Sequence, residues 1–206
     1  MDARDWDQRY AETELMWSAT PNRFVEGSLS ELRPGRALDL ACGEGRNAIW
    51  LAGRGWTVTA LDFSRVALDK GRTLVMRHPR GRDLKVEWVH GDALTHPLGR
   101  EAYDLVVVAY LQLPEEQRYT AVRRAFDSLA PGGTFFLVAH DSVNLTHGTG
   151  GPQDPEVLYT AEDVLGDLDG ERFEVVRAEA VERPVPTEDG STRTAVDALV
   201  HLVRLQ

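Results

Sequence analysis

The residues of this sequence whose types and spacing best suit chemistry are two glycines in a short turn and an acid that follows them. Gly43 and Gly45 break an apolar run, and Asp62 ends the next apolar run about twenty residues later. Glycine tolerates positive φ and lets a ligand approach the bare backbone. A carboxylate at the end of a neighbouring strand accepts hydrogen bonds from ribose hydroxyls. The combination predicts a site for a nucleoside-containing ligand.

Two other interpretations of these residues remain open. Read as Gly43-x-Gly45-x-x-Ala48, the turn also fits a dinucleotide-binding fingerprint, which would indicate a nicotinamide-dependent oxidoreductase. The turn could also serve packing alone, with Asp62 lying just before the helix that Ser64 caps.

The elements that must position this turn alternate between strands and helices. Residues 37–41 predict a buried strand, and a helical pattern begins at Asn47. Later strands are predicted at 84–90, 103–109 and 134–139, later helices at 64–77, 115–130 and from Thr160, and two closing strands at 172–181 and 193–204, joined by a turn near Glu188, Asp189 and Gly190. Near the N-terminus, Thr20-Pro21 predicts the start of a helix that runs through Leu32.

The turn sequence Asp39-x-Ala41-Cys42-Gly43-x-Gly45-Arg46-Asn47, with Asp62 ending the next strand, resembles the S-adenosylmethionine site of class I methyltransferases. Its Gly-x-Gly-Arg-Asn form is most similar to the small tellurite-resistance and thiopurine-type branch. The resemblance implies a single α/β domain of Rossmann-like fold over 1–206, with a seven-stranded, mostly parallel sheet and an antiparallel C-terminal hairpin. Residues 1–33 would form a lid or helical segment, and 34–206 the core.

The resemblance also implies the activity, which is methyl transfer from S-adenosylmethionine to an O, N, S or metalloid nucleophile on a small molecule. In such enzymes Asp62 would hold the ribose and Asp92 the adenine. The full set of implied cofactor contacts is Tyr10, Trp17, Arg23, Asp39, Ala41, Gly43, Gly45, Arg46, Asn47, Asp62, Phe63, Asp92, Ala93 and Ala109. A non-catalytic protein that binds S-adenosylmethionine would have a similar sequence and stays an alternative.

Candidate catalytic residues follow the fifth predicted strand, where a long loop rich in glycine and proline spans 140–158. Open α/β sheets place ligands at the carboxyl ends of their strands, so this loop should lie near the methyl donor. His140 and Asp141 are candidate bases, and histidine suits the role because it titrates near neutral pH. His140 could equally be hydrogen-bonded to the backbone at the end of the strand, and Asp141 could equally cap the loop. Tyr110, Gln112 and His147 are assigned to the acceptor pocket.

Composition limits the partners. The net charge of −10 disfavours a nucleic-acid substrate, and the single cysteine, Cys42, excludes an internal disulfide and a cysteine-based zinc cluster. We expect no metal, no membrane segment, a cytoplasmic location, and a monomer or homodimer that acts on small molecules.

Overall fold

The computed structural model describes residues 2–16, 19–187 and 190–206 of the 206-residue chain. Within these residues the helices are α1 (Ala3–Ala11), α2 (Arg23–Leu29), α3 (Arg46–Gly53), α4 (Arg65–Arg77), α5 (Glu115–Asp127) and α6 (Ala161–Asp167). The strands are β1 (Arg36–Leu40), β2 (Thr57–Asp62), β3 (Val86–His90), β4 (Tyr103–Ala109), β5 (Leu129–His140), β6 (Phe173–Pro186) and β7 (Thr192–Arg204).

The strands form one sheet in the order β3-β2-β1-β4-β5-β7-β6. The first five strands pair in parallel, and β7 lies antiparallel between β5 and β6. The seven-stranded, mostly parallel sheet with an antiparallel C-terminal hairpin confirms the predicted fold class. The order of the strands reverses between β1 and β4, and ligands of open α/β sheets bind beside such a point.

Each face of the sheet packs against its own hydrophobic cluster. One cluster contains Leu38, Val106 and Phe126, and the other contains Ala37, Leu105 and Phe136. Because neighbouring residues of β1 and β4 enter opposite clusters, both strands are apolar along almost their whole length, as expected of strands covered on both faces. The carboxyl ends of these central strands are thereby held in fixed positions.

The start of α2 differs from the prediction at Thr20-Pro21. Asn22 caps the helix instead, because its side chain accepts hydrogen bonds from the backbone N–H groups of Phe24 and Val25, at 2.8 and 3.3 Å. The backbone N–H of Asn22 also donates to the side chain of Asn47 in α3, at 2.9 Å. A tertiary contact therefore fixes the cap, and the helix ends at Leu29 rather than Leu32.

The boundary between α5 and β5 also differs from the prediction. The helix predicted at 115–130 ends at Asp127, and the strand predicted at 134–139 begins earlier, at Leu129, although its pairing skips from Leu129 to Thr134. Proline lacks an N–H and Gly132 has a φ of 80°, so this part of the strand cannot continue the ladder. The loop predicted at 140–158 contains short 3₁₀ turns at Ser142–Leu145 and Pro155–Val157.

The predicted turn near Gly190 joins β6 to β7, but Glu188 and Asp189 lie outside the described residues. None of the helices in the described part of the chain is long and apolar enough to cross a membrane. The division into a lid at 1–33 and a core at 34–206 stays a prediction. In the structure α1 packs against α4, so the first helix lies against the core.

Candidate active site

Backbone strain marks the place where the strand order reverses. Ala41, just after β1, has a φ of 56°, and Tyr110, just after β4, has a φ of 59°. These are two of the three non-glycine residues with positive φ in the described ranges. Such conformations cost about 1–3 kcal/mol each and cluster at functional sites. The strain therefore points to the gap between the ends of β1 and β4.

The glycine turn after β1 has the conformation that its residue types predict. Gly43 and Gly45 have φ values of 56° and 76°. A β-carbon on Gly45 would lie 2.3 Å from the ring of Trp88 in β3, so this position also needs glycine for space. Gly45 precedes α3 and has no side chain to cap it, and the N-terminus of the helix carries a partial positive charge that favours a polar ligand.

Asp39 fixes the start of α3 from below the turn. Its carboxylate is buried and accepts a hydrogen bond from the backbone N–H of Ala48 at 2.9 Å. Burial raises the pKa of Asp39 to about 7, and the nearby charge of Asp62 adds to this effect. The contact supports the turn itself, which is a structural contribution to the predicted cofactor site.

Asp62 lies at the end of β2 and binds the turn from the other side. Its two oxygens accept hydrogen bonds from the backbone N–H groups of Gly43 and Ser64, each at 2.8 Å. Burial raises the pKa of this carboxyl group. Each carboxylate oxygen has two lone pairs, so both oxygens retain acceptor capacity. Asp62 thus keeps the ability to accept from a ribose while it holds the turn in place.

The ends of β2 and β3 carry the predicted adenine contacts. Asp92 is exposed, and its side chain accepts from the backbone N–H of Leu94 at 2.7 Å. Ala93 beside it is half-buried, and the carbonyl of Phe63 pairs with the ring of His90 at 2.9 Å. The sheet order places these residues beyond Asp62 on the same edge, as the sequence predicts.

The N-terminal segment is tied to the glycine turn and to α4. Lys70 in α4 donates to the carbonyls of Tyr10 and Thr13, the second at 2.5 Å. Its ammonium lies 3.3 Å from the buried carboxylate of Glu44, which in turn accepts from the backbone N–H of Met16 at 3.0 Å. We call Lys70 and Glu44 the latch, since together they hold the segment against the turn.

Asp7 forms a second attachment of this segment. Its side chain accepts from the hydroxyl of Ser64 at 2.5 Å and from the backbone N–H of Val66 at 3.3 Å. The first helix therefore helps to cap α4, directly beside Asp62.

The aromatic and arginine residues predicted to contact the cofactor are found in different settings. Tyr10 is buried, whereas Arg23 is exposed and lies over the ring of Phe24. Trp17 lies outside the described residues. Arg46, at the first position of α3, is half-buried, and desolvation lowers the pKa of its guanidinium despite the nearby Tyr110 and Asp39. Arg46 is thus within electrostatic reach of Asp39 below the turn and of Tyr110 at the end of β4.

A second polar group lies at the ends of β4, β5 and β7. The hydroxyl of Tyr110 donates to Asp197 at 2.8 Å, and Arg183 donates to the same carboxylate through Nε at 2.8 Å. Nδ1 of His140 lies 3.4 Å from the other oxygen of Asp197. Burial next to this anion raises the pKa of Tyr110 to about 12. We call Tyr110, His140, Arg183 and Asp197 the tyrosine–histidine cluster.

Gln112 and Asp141, two of the predicted pocket and base residues, are engaged by the backbone. Gln112 accepts from the N–H of His140 at 2.8 Å and donates to the carbonyl of Val157 at 2.6 Å. Asp141 is buried and caps the 3₁₀ turn through the N–H of Val143, at 2.9 Å. Both side chains therefore shape the loop at 140–158, and desolvation raises the pKa of Asp141.

His147, Ala109 and Cys42 are the remaining residues named from the sequence. His147 is exposed, and its ring pairs with the hydroxyl of Thr146 at 2.7 Å. Ala109 is the last residue of β4 and directly precedes Tyr110. Cys42 lies within the turn, where burial raises the pKa of its thiol well above the usual range, so it is not an activated nucleophile.

Sequence reasoning missed Asp197, Arg183 and the latch. Asp197 is fully buried within the apolar stretch at 195–203 of β7, and an acid in such a stretch is a signal that could have been used. No local pattern pairs it with His140, since the sheet register brings these two residues together.

Two surface clefts lie beside α4 rather than at the strand ends. One is lined by Leu15, Lys70 and Arg77, among others, and the second lies around Pro79. Neither is lined by the glycine turn or by the tyrosine–histidine cluster. The N-terminal segment and the loop at 140–158 adjoin the strand ends, so access to the site involves these two segments.

Comparison with known proteins gives consistent matches. Residues 37–133 match a protein family described as a methyltransferase domain. An uncharacterized methyltransferase of Mycobacterium tuberculosis is 34% identical over 112 residues, which cover 54% of this chain and 53% of that protein. Thiopurine S-methyltransferase of Vibrio cholerae is 28% identical over 158 residues, covering 69% and 72%. The chain spans about half the length of the first curated relatives it matches.

The fold is shared with solved structures over the whole chain. The N-methyltransferase NodS of Bradyrhizobium japonicum, in complex with S-adenosyl-L-homocysteine, superimposes with a TM-score of 0.73 and covers 100% of both chains at 20% identity. At this identity the likeness concerns the fold.

Proposed function

Because this chain belongs to the class I S-adenosylmethionine-dependent methyltransferases, we propose that it methylates a small-molecule acceptor through an oxygen or nitrogen atom. The observation that carries this proposal is the pairing of two sites at the reversal of strand order. The glycine turn with Asp62 lies on one side, and the tyrosine–histidine cluster lies on the other. A donor and an acceptor bound at these sites would meet between β1 and β4.

The residues on the donor side fit S-adenosylmethionine. The N-terminus of α3 and the half-buried Arg46 suit a carboxylate, because both favour negative charge. Asp62 retains acceptor capacity for ribose hydroxyls, and exposed Asp92 is available to the exocyclic amine of adenine. The latch keeps the N-terminal segment beside these groups.

The bound cofactor supplies a methyl group on a positively charged sulfur. The residues of this chain orient the acceptor for in-line attack, and orientation of this kind is worth roughly 7–11 kcal/mol of a reaction barrier. A hydroxyl or protonated amine must also lose a proton, and His140 is the residue we assign as its base. We further assign Tyr110 to the wall of the acceptor pocket.

Three alternatives make different predictions. A nicotinamide-dependent oxidoreductase would bind NADH rather than S-adenosylhomocysteine, and the antiparallel C-terminal hairpin argues against it. A non-catalytic binding protein would take up the cofactor without turnover. An acceptor with a soft nucleophile, such as a thiolate or a metalloid, would need no base.

A turnover screen tests the proposal. Formation of S-adenosylhomocysteine is monitored over panels of phenols, amines, thiols, halides and metalloid oxyanions. We expect turnover with a phenol or an amine. Binding of the cofactor without turnover on any panel would favour the non-catalytic protein, and turnover confined to thiols, halides or metalloids would remove the need for a base.

A further inference from the structure

His140 carries a buried nitrogen that lacks a hydrogen bond. Among residues 2–16, 19–187 and 190–206, Nδ1 of His140 is the one buried side-chain nitrogen or oxygen that has no hydrogen-bond partner. It lies 3.4 Å from Oδ1 of Asp197, within reach but without the alignment of a hydrogen bond. An unsatisfied buried polar group costs about 1–3 kcal/mol, so its position needs an explanation.

The carboxylate that faces this nitrogen is held as an anion. Asp197 is fully buried, yet contacts with His140, Arg183 and Tyr110 outweigh its desolvation and lower its pKa. Arg183 and the hydroxyl of Tyr110 both bond to Oδ2 at 2.8 Å, while the second guanidinium nitrogen of Arg183 lies 3.5 Å from Oδ1. Oδ1 therefore remains the oxygen with room for a strong donor.

The imidazole is confined on several sides. The ring of Tyr110 lies 4.7 Å from it, centre to centre. A β-carbon on Gly151 would come within 2.7 Å of it, so the loop passes directly over the ring and needs glycine there. The backbone N–H of His140 is bound by Gln112. A small reorientation of the ring would align Nδ1 with Oδ1 of Asp197 for a hydrogen bond, and catalytic hydrogen bonds often tighten in this way when ligands bind.

From this arrangement we propose that Asp197 is a positioning residue that keeps the proton of neutral His140 on Nδ1, so that Nε2 is the base. Arg183 and Tyr110 fix Asp197, and Asp197 fixes the histidine. The proposal rests on the methyl transfer proposed above, and it narrows the acceptor to one that carries a proton on the attacking atom.

In the step that follows, the acceptor oxygen or nitrogen forms a bond to the methyl carbon as the carbon–sulfur bond breaks. The electron pair of that bond stays on sulfur, which becomes a neutral thioether. The proton of the acceptor moves to Nε2 of His140. The positive charge lost by sulfur thus appears on the imidazolium, beside the anion of Asp197.

The tautomer of His140 in the free wild-type protein tests the proposal directly. Long-range nitrogen-15 correlation spectra distinguish protonated from unprotonated ring nitrogens, and the signals of His140 are assigned by their loss in His140→Gln. We expect neutral His140 to carry its proton on Nδ1. A proton on Nε2 in the wild type would overturn the proposal.

Substitutions at two neighbouring acids provide the matched comparison. Asp197→Asn should move the proton of His140 to Nε2, since an asparagine amide can donate to Nδ1. Asp141 directly follows His140 in the chain, and its carboxylate caps the 3₁₀ turn instead of facing Nδ1. Asp141→Asn should therefore leave the tautomer of His140 unchanged. Circular dichroism checks that each variant is folded. If Asp197→Asn does not fold, the tautomer of His140 in the wild type still decides the question. A folded Asp197→Asn in which Nδ1 of His140 keeps its proton would contradict the proposal.

Cofactor binding and kinetics separate this proposal from the proposed function. Calorimetry with S-adenosylhomocysteine should give similar affinities for wild type and Asp197→Asn, and failure of both to bind would contradict the proposed function alone. Once an acceptor is found, Asp197→Asn should lower kcat by up to about 10⁴-fold, with KM changed much less. An unchanged kcat would overturn the positioning role even if turnover itself is established.

Discussion

Asp62 and Asp92 lie at the ends of two neighbouring strands, but their side chains contribute differently to the folded structure. Asp62 is buried and binds two backbone N–H groups of the turn, whereas Asp92 is exposed and binds one local N–H. Removing Asp62 therefore disturbs the turn as well as any ribose contact. Removing Asp92 should affect the proposed adenine contact and have little effect on folding.

We predict that Asp92→Ala weakens binding of S-adenosylhomocysteine about tenfold or more, because a hydrogen bond to a charged group is worth about 1.5–3 kcal/mol. Its free energy of unfolding should stay close to that of the wild type. Asp62→Ala should reduce both affinity and stability. Calorimetry and urea unfolding measure the two quantities, with exposed Asp83→Ala as a control that changes neither. Wild-type affinity in Asp92→Ala would remove Asp92 from the site.

The raised pKa of Asp39 predicts that the free energy of unfolding depends on pH. The pKa of about 7 in the folded protein exceeds the value near 3.9 expected when unfolded, so the folded state retains this proton over a wider range. The stabilisation from the protonated form is complete below pH 4 and is lost as pH rises through 7. Between pH 5 and 8 the wild type should lose about 2–3 kcal/mol more unfolding free energy than Asp39→Asn.

Urea unfolding of both proteins at the two pH values measures this difference. Asparagine retains an oxygen for the N–H of Ala48, so the variant keeps the contact that fixes α3. Equal losses in the two proteins would show that Asp39 does not titrate in this range.

At the level of single residues, the sequence allowed prediction of the turn but not of the tyrosine–histidine cluster. Gly43, Gly45 and Asp62 are recognisable because their spacing reflects one strand–helix–strand unit. Asp197 and Arg183 come from the closing hairpin, and only the register of β7 against β5 and β6 brings them to His140 and Tyr110. His140 was a candidate base in the sequence, whereas Asp197, which we propose positions it, was not.

At the level of elements, the latch holds α1 and the residues after it against α4. Lys70 reaches two backbone carbonyls and the buried Glu44, so a single side chain ties the segment down at several points. The resemblance implied a lid or helical segment at 1–33, and the structure attaches this segment through polar contacts that the sequence did not indicate.

We predict that Lys70→Ala increases amide hydrogen exchange in residues 3–16, since it removes these attachments, and that it speeds dissociation of S-adenosylhomocysteine. Lys85→Ala is the matched control, because Lys85 is the other lysine of the chain and is exposed. Mass spectrometry of exchange and stopped-flow dissociation give the two readouts. Unchanged exchange in Lys70→Ala would mean that packing of α1 alone holds the segment.

Helix boundaries show how much a local signal can decide. Ser64 and Thr160 cap α4 and α6 as predicted, because each accepts from a backbone N–H within its own first turn. Thr20-Pro21 has the same local signal but does not start α2, because Asn22 is also held by Asn47 from α3. A cap supported by a tertiary contact takes precedence over a cap of similar local quality.

At the level of the whole molecule, alternating strands and helices predicted the sheet, and the closing hairpin predicted its antiparallel edge. This was possible because burial on both faces makes central parallel strands continuously apolar. Both proposed sites then follow from the reversal of strand order between β1 and β4. What the sequence left open is the arrangement of the segments that cover these sites, since their contacts join distant parts of the chain.

The central claim is that the glycine turn and Asp62 bind S-adenosylmethionine, and calorimetry of the wild-type protein tests it most directly. S-adenosylhomocysteine and NADH are titrated separately into the folded chain. We predict saturable one-to-one binding of S-adenosylhomocysteine and no binding of NADH. Saturable binding of NADH, with no heat from S-adenosylhomocysteine, would contradict the account.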